Sequence, residues 1–304
     1  MVFLCTCAHQ NNMLSIYTRS TSKFSKEFWK WAARKITRKY SGPNAVEDSL
    51  LRGLKELNIP FSRNCLTSDT GTVVVLSGTE ALRENILHKK KGLIKKLIAG
   101  PNIVAHPLDC NGILLNKEID VILVPSQWVA DLYMQVVPEI ANKIKVWPAG
   151  VPISKASSRT SKPIIYDKLG DVSLLIKIQE VLAVPATVFS YGSFNQKDYL
   201  EALSEAPYLI YLAKSESQGL ALQEAWAHDV PTLVNKSTHW EANDLSWDSP
   251  QINCPYLTPE LGAIFENVEE LPIMIEQVSS LHPKKYCDKY LSDRASAQKL
   301  LNLI

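Results

Sequence analysis

The sequence lacks the short motifs by which several enzyme classes are recognised. It contains no P-loop, no complete Gly-x-Gly-x-x-Gly, no zinc-type Cys or His spacing and no Gly-x-Ser-x-Gly turn. It also has no Asp-x-Asp pair, and the nearest approach, Glu118-Ile119-Asp120, leads directly into an apolar run. A metal-held phosphate group is therefore not indicated, and we expect neither a metal ion nor a cofactor.

The chain also lacks a strong net charge, a long apolar run and a regular cysteine pattern. Its 304 residues carry a net charge of +2, which argues against a nucleic-acid-binding protein. No apolar run reaches the length of a transmembrane helix. The six cysteines have no regular spacing, so we expect free thiols and a cytoplasmic location. The composition, 46% hydrophobic and 21% charged, is ordinary for a globular chain with room for two domains.

Apolar runs of strand length alternate with helix-like segments along both halves of the chain. We predict strands at 14–17, 72–76, 102–105, 120–124, 143–147, 164–166, 187–190, 208–213, 232–234 and 262–265. Helices are predicted at 45–57, 80–88, 126–134 (capped by Ser126), 172–182, after 195 and at 283–304. This alternation predicts an α/β fold of parallel sheets covered by helices. Residues 151–163, rich in Ser, Lys, Thr and Pro, are a predicted linker between domains at 1–152 and 163–304.

The most informative stretch is 215–231, which reads Ser-Glu-Ser-Gln-Gly-Leu-Ala-Leu-Gln-Glu-Ala-Trp-Ala-His-Asp-Val-Pro. It lies between two predicted strands, so strand, loop, helix and strand form a βαβ unit. Ligands of such units bind beyond the carboxyl ends of the strands. Glu216 falls on that rim, whereas Glu224 falls within an otherwise apolar helix, where a buried carboxylate needs a partner. An acidic loop before an amphipathic helix would explain Glu216 but would explain Glu224 poorly.

This stretch resembles the signature of glycosyltransferase family 4. The residues that match the family pattern in register are Glu216, Gly219, Leu220, Glu224, Ala225, Ala227 and Pro231. Three positions depart from the pattern: Ser217, Gln218 and Asp229 replace a glycine, an aromatic residue and a second glycine. Two more segments, 120–128 and 145–151, resemble the family's last units of the first domain and the exit from it. The resemblance covers residues 14–304.

The resemblance implies a GT-B fold, with two Rossmann-like domains whose parallel sheets face each other across a cleft. The C-terminal helix would cross back to the first domain, which would bind the acceptor while the second binds the nucleotide sugar. The implied activity is retaining, metal-independent transfer of a sugar from a nucleotide-sugar donor to a glycan or lipid-linked acceptor. Two other functions stay open: a nucleotide-sugar epimerase, which would need additional acid and base residues, and a GT-B protein that binds sugar nucleotides without turnover.

The resemblance also assigns roles within the signature stretch. Glu216 would be a catalytic residue that contacts the hydroxyls of the donor sugar, and Glu224 would bind the ribose hydroxyls. Carboxylates suit both roles because each accepts two hydroxyl donors. The other implied donor-binding residues lie around the start of the helix and are Ser215, Ser217 and Gly219.

Further candidate residues lie outside that stretch. Lys168 follows the first strand of the second domain and would neutralise the phosphates, although the arginine that usually precedes it in the family is missing. Tyr191 and Gly192 end the next strand and would line the base pocket. Gly42 occupies the place of the family's glycine-rich loop, and an ordinary turn would also explain it. His106 would be a second catalytic residue facing the sugar, and a structural role would also explain it.

Lysines cluster at 89–91 and 95–96, and on a helix they would lie mostly on one face. A solvated helix face explains such a cluster, and so does a basic rim that faces a membrane or an anionic substrate. The predicted partners are a nucleotide sugar and a glycan or lipid-linked acceptor, with no nucleic acid. Peripheral membrane contact would use these lysines.

Overall fold

The computed structural model describes residues 13–22, 27, 42–68, 70–155, 158–159, 162–242 and 245–304. They divide into two compact units. The first unit holds the chain up to Val124, then Ala130–Trp147 and Gln298–Ile304; the second holds Pro125–Val129 and Pro148–Ala297. The described part of the predicted linker therefore belongs to the second unit. It is bonded there, since the amide of Ser154 donates to the carbonyl of Ala227 at 3.1 Å.

The first unit is built on a parallel sheet of six described strands in the order β2-β1-β3-β4-β5-β6. Their bounds are β1 Met13–Tyr17, β2 Phe61–Arg63, β3 Thr70–Ser77, β4 Lys96–Asn102, β5 Val121–Val124 and β6 Ile144–Val146. The central β3 is a continuous apolar run whose residues 73–76 are fully buried, as expected for a strand covered on both faces. The helices of this part of the chain are α1 Gly42–Glu56, α2 Thr79–Lys90 and α3 Gln127–Val136, with a helical turn at Asp109–Gly112.

The second unit is built on a parallel sheet of five described strands in the order β13-β10-β9-β7-β8. Their bounds are β7 Ile164–Asp167, β8 Thr187–Ser190, β9 Leu209–Leu212, β10 Thr232–Asn235 and β13 Gly262–Phe265. One face packs against α5 Gln196–Leu203, α6 Leu220–Ala227 and α8 Pro283–Leu291, and the other against α4 Val172–Val181 and α7 Leu271–Ser279. The last helix is α9 Asp293–Leu301, and an antiparallel hairpin, β11 His239–Ala242 and β12 Leu245–Asp248, follows β10.

Both sheets are wound in the same order. In each, the second strand of the unit pairs on one side of the first, and the third strand pairs on the other side. The winding therefore reverses between β1 and β3 in the first unit and between β7 and β9 in the second. At such a reversal the connections leave on opposite faces of the sheet, and a crevice opens at the carboxyl ends of the two strands. The predicted α/β fold with two Rossmann-like domains is confirmed.

The predicted strand at 102–105 is wrong, because β4 runs from Lys96 to Asn102. The charge of Lys96 makes this segment look like a loop, but its amino group reaches out of the sheet to the carbonyls of Leu303 and Ile304. The lysine cluster is consequently not on one helix: Lys89 and Lys90 end α2, whereas Lys96 begins β4.

A predicted helix cap is also wrong. The hydroxyl oxygen of Ser126 is buried and has no hydrogen-bond partner within the described part of the chain, so this side chain does not cap α3. Four further elements carried too weak a pattern to be predicted, namely the short edge strand β2, the two hairpin strands β11 and β12, and helix α7. Each strand of the hairpin is four residues long, and alternation over four residues is too short a pattern to identify a strand.

Candidate functional site

The candidate site lies in the second unit, at the carboxyl ends of β7 and β9, where the winding reverses. These strands are parallel neighbours, so the residues that follow them emerge at one edge of the sheet. Lys168 directly follows β7, and Glu216 lies in the loop after β9. The carboxylate of Asp167 accepts hydrogen bonds from the amides of Leu169 (2.9 Å) and Gly170 (3.0 Å), and this turn holds Lys168 at the edge.

The carboxylate of Glu216 has two side-chain partners. Its Oε1 atom forms an ion pair with Nζ of Lys168 and accepts a hydrogen bond of 2.5 Å from the hydroxyl of Tyr211. The side chain of Glu216 is 12% exposed and that of Lys168 is 23% exposed, so the pair is largely shielded but still reachable. Burial, and then the charge and hydrogen bond of Glu216, raise the pKa of Tyr211 well above its usual value. The phenol therefore stays protonated and donates.

The backbone of the Glu216 loop is held from two sides. The amide of Glu216 donates to the carbonyl of Ile252 at 2.8 Å. Its carbonyl accepts a hydrogen bond of 2.9 Å from the indole of Trp128, a residue of the second unit. Trp128 in turn packs against Trp240 of the β11–β12 hairpin, with 5.8 Å between ring centroids. These contacts fix the loop independently of its side-chain carboxylate.

Helix α6 begins immediately after this loop. Gly219 precedes its first residue with φ of 70°, a left-handed conformation that favours glycine. Gly219 has no side chain to cap the helix, and among the described residues no side chain bonds the amides of residues 220–222, so these amides keep their partial positive charge. Ser215 is half-buried and Ser217 is exposed in the loop that leads to it. The arrangement is suited to an anion, since a helix N-terminus favours negative charge.

Glu224 lies on the second turn of α6 and is half-buried. Its Oε1 atom accepts a hydrogen bond of 2.6 Å from Nε2 of Gln196 at the start of α5. Burial, followed by the charges of both Glu216 and Glu224, raises the pKa of Tyr166. The two carboxylates therefore flank one buried aromatic cluster, and the partner that Glu224 requires is an amide of the preceding helix.

The residues after β8 complete the edge. Tyr191 is 66% exposed, and Nζ of Lys168 lies 4.6 Å from the centroid of its ring. Gly192 follows with φ of 85°, which again favours glycine. An exposed aromatic ring beside a lysine offers both a flat stacking surface and a positive charge. The structure thus brings together Lys168, Tyr191 and Glu216, which lie far apart in sequence.

Two candidate residues belong to the first unit. Gly42 is the first residue of α1, and a Cβ atom added there would meet nothing within 4 Å. The chain that precedes it, residues 28–41, lies outside the described residues. Nothing about Gly42 itself demands glycine, because its φ is not in the left-handed region.

His106 lies in the loop beyond β4. Its Nδ1 atom accepts a hydrogen bond of 3.3 Å from the amide of Leu108, and its own amide donates to the carboxylate of Asp109 at 3.0 Å. In the neutral ring the proton is therefore on Nε2, which is buried and has no partner among the described residues. In this tautomer His106 is equipped to donate a hydrogen bond and cannot accept a proton at Nε2.

Two residues of the site, Tyr211 and Gln196, carry no sequence motif, and Trp128 ends the family-like segment 120–128 without having been assigned to the site. Tyr211 shares the face of the sheet with Tyr166, and the alternation of side chains along β9 is the one signal that could have found it. Gln196 and Trp128 contact the signature stretch only through the tertiary fold.

Among the described residues, no group of three or more His, Cys, Asp or Glu side chains could hold a metal ion. Within the same ranges, every helix is too short or too polar to cross a bilayer. Of the six cysteines, four are described, and all of these are free thiols.

Comparisons with protein-family models and with curated proteins find no match for this chain. Solved structures do match. AviGT4, a glycosyltransferase involved in avilamycin A biosynthesis, has a TM-score of 0.55 at 9% identity, covering 96% of both chains. The lipopolysaccharide outer core galactosyltransferase WaaB has a TM-score of 0.54 at 11% identity, covering 95% of this chain and 98% of its own. TarM has a TM-score of 0.52 at 14% identity, covering 84% and 57%.

These solved structures are GT-B glycosyltransferases, and the predicted GT-B fold is therefore confirmed. At identities of 9–14% the likeness is one of fold, and it extends over nearly the whole chain for the first two. What the protein does must be argued from its site.

Proposed function

We propose that this protein is a retaining, metal-independent glycosyltransferase of the family 4 type. It would move a sugar from a nucleotide-sugar donor to a glycan or lipid-linked acceptor. The observation that carries the proposal is the Glu216 carboxylate, held by Lys168 and Tyr211 where the second sheet reverses its winding. Sugar hydroxyls are donors, and a shielded carboxylate is the acceptor that they require.

Each part of a nucleotide sugar has a counterpart in the second unit. The diphosphate would bind the first amides of α6 and the amino group of Lys168. The ribose hydroxyls would donate to Glu224, whose side chain is half-buried beside the same aromatic cluster as Glu216. The base would stack on the exposed ring of Tyr191. Because these groups neutralise the phosphates without a metal ion, we propose that turnover needs none.

The first unit would contribute His106 and the start of α1 at Gly42. With its proton on Nε2, the imidazole of His106 would donate a hydrogen bond to an oxygen of the reacting sugar. Such a bond would stabilise charge that develops in the transition state. We also propose that the protein acts in the cytoplasm, where thiols stay reduced.

The test is a two-stage ligand screen. Thermal unfolding is first measured with UDP, GDP, ADP and CMP, because a bound nucleotide raises the melting temperature by mass action. The matching nucleotide sugars are then incubated with the protein, and free nucleotide and sugar identity are followed. Release of nucleotide with anomeric retention supports the proposal, conversion of the sugar without release supports the epimerase, and saturable binding alone supports a GT-B protein without turnover.

We also propose that an anionic membrane surface is a peripheral partner. Leu87 and Leu93 are 55% and 52% exposed at the end of α2 and just beyond it. Lys90, Lys91 and Lys95 are exposed beside them, whereas Lys89 is paired with Asp120. Apolar side chains surrounded by free cations fit a bilayer interface with anionic headgroups.

Sedimentation with phosphatidylglycerol vesicles tests this partner. The wild-type protein should sediment with these vesicles and not with pure phosphatidylcholine vesicles. The Lys90→Gln, Lys91→Gln, Lys95→Gln triple variant should lose the interaction, and a Lys117→Gln, Lys143→Gln, Lys145→Gln variant serves as the matched control. Equal binding of both variants would refute the surface.

A further inference from the structure

Tyr211 is the penultimate residue of β9, and its side chain is 1% exposed. Its ring stacks on that of Tyr166, with 5.2 Å between centroids and 15° between planes. The hydroxyl is the one polar atom of this side chain, and it donates to Oε1 of Glu216 at 2.5 Å. A buried phenol on a central strand is thus aimed at the carboxylate that the proposed reaction uses.

Both side-chain partners of Glu216 bind the same oxygen. Lys168 and Tyr211 contact Oε1, and among the described residues no hydrogen bond reaches Oε2. The two donors come from neighbouring strands, so they approach Oε1 from different directions. A carboxylate held in this way cannot turn about its last bond without losing both contacts. The direction in which Oε2 points is therefore set by the protein before any ligand arrives.

We propose that Tyr211 is a positioning residue that orients Glu216 so that Oε2 is presented to a hydroxyl of the donor sugar. This inference rests on the proposed function. Lys168 and Tyr211 are not equivalent in it. The lysine side chain is long and 23% exposed, so it can turn toward a diphosphate. The phenol is rigid, neutral and buried, and it keeps the carboxylate of Glu216 in place when Lys168 turns toward the diphosphate.

The inference predicts a selective defect. Tyr211→Phe keeps the ring and its stacking on Tyr166 but removes the hydroxyl. Affinity for the free nucleotide should stay within about twofold, because the nucleotide does not use Oε2. Affinity for the nucleotide sugar and kcat/KM should each fall by about tenfold or more, as expected for losing a hydrogen bond to a charged group. The main measurement is calorimetric titration with UDP and UDP-glucose, or with whichever nucleotide and nucleotide sugar the ligand screen selects.

Tyr199→Phe is the matched control. Tyr199 is also fully buried in this aromatic cluster, and its hydroxyl donates to the carbonyl of Ala221 at 2.9 Å. Loss of the Tyr199 hydroxyl should leave the difference in affinity between UDP and UDP-glucose unchanged. A second measurement repeats Tyr211→Phe in a Glu216→Ala background, where the hydroxyl has no acceptor to orient and the substitution should add nothing further. Thermal unfolding of each variant checks that it is folded.

The outcomes separate the two proposals. A wild-type protein that turns over none of the nucleotide sugars in the ligand screen refutes the proposed function. If Tyr211→Phe retains the wild-type affinity for the nucleotide sugar and the wild-type kcat/KM, only the positioning role of Tyr211 is refuted. Three results would each mean that Tyr211 supports the fold and does not orient Glu216. They are an equal loss of affinity for UDP and UDP-glucose in Tyr211→Phe, an equal loss in Tyr199→Phe, and full additivity of Tyr211→Phe with Glu216→Ala.

Discussion

The points at which the two sheets reverse their winding can be compared directly. In each unit a helix starts after the third strand, preceded by a glycine in the left-handed region: Gly78 (φ 94°) before α2 and Gly219 (φ 70°) before α6. In the first unit the carboxylate of Glu27 accepts hydrogen bonds from the amides of Glu80 (2.7 Å) and Ala81 (3.1 Å). That helix end is therefore neutralised by the chain itself.

The second unit leaves the same feature open. Among the described residues, no side chain bonds the first amides of α6, and the carboxylate of Glu216 in the preceding loop is held by Lys168 and Tyr211. Identical winding thus produces two helix ends with partial positive charge, and only one of them meets an internal anion. Topology therefore sets where an anion can bind, and the surrounding side chains decide whether the chain itself already occupies that position.

The largest effect is expected next to the start of α6, whose first amides are not bound by a side chain. Glu216→Gln should lower turnover by about 100-fold or more while leaving nucleotide affinity within about threefold, because the amide cannot replace the anionic acceptor in the transition state. Steady-state kinetics and titration with free nucleotide measure the two quantities. Turnover equal to that of the wild type in a folded variant would remove Glu216 from the reaction.

Glu224→Ala should weaken nucleotide binding by about 1.5–3 kcal/mol, roughly 10- to 150-fold, because the ribose loses its charged acceptor. The matched control is Glu205→Ala, which removes an exposed glutamate of the same unit. Titration with nucleoside diphosphate gives both values. An affinity that does not change in Glu224→Ala would contradict the ribose assignment.

Glu27→Gln tests the start of α2, whose first amides are bound by the carboxylate of Glu27. It should lower the free energy of unfolding by about 1–2 kcal/mol, because the amide has one acceptor oxygen where the carboxylate uses two, for the amides of Glu80 and Ala81, and no longer supplies the charge at the start of α2. Nucleotide affinity should not change, because the open helix end lies in the other unit. Urea denaturation and titration with the nucleotide check the two statements. A clear loss of nucleotide affinity would contradict this difference between the units, since the start of α2 would then also contribute to nucleotide binding.

The smallest effect is expected from chelation. Excess EDTA should change turnover by less than about twofold, because Lys168 and the α6 amides carry the phosphate charge. Assays with and without EDTA, followed by addition of Mg²⁺ or Mn²⁺, measure it. Loss of turnover that either metal restores would show that the open end needs a cation.

Much of the fold is readable from the sequence. The β-branched run of β3 and the apolar stripe of α1 predict their elements because burial on one face or two leaves a period in the chain. The prediction fails where charge and position disagree, as at Lys96, whose amino group leaves a buried strand for carbonyls about 200 residues away. It also fails at Ser126, a residue type that suits a cap but whose hydroxyl is buried without a partner.

The site likewise contains residues that a local sequence pattern predicts and residues that only the tertiary fold brings together. Its spacing of two glutamates around a glycine is a local pattern, and it identified Glu216, Gly219 and Glu224 because one turn and one helix fix their relative positions. Lys168 was predicted as a phosphate ligand, but its pairing with Glu216 was not, and Tyr211 and Gln196 were not predicted at all. Lys168 lies 48 residues from Glu216 and meets it only because β7 and β9 are neighbours in the sheet while β8 lies at the edge. The sequence by itself determined which residues could carry a charge or a hydrogen bond at the rim. The tertiary structure decided which of them share one oxygen, because strand order, and not distance along the chain, sets which side chains meet.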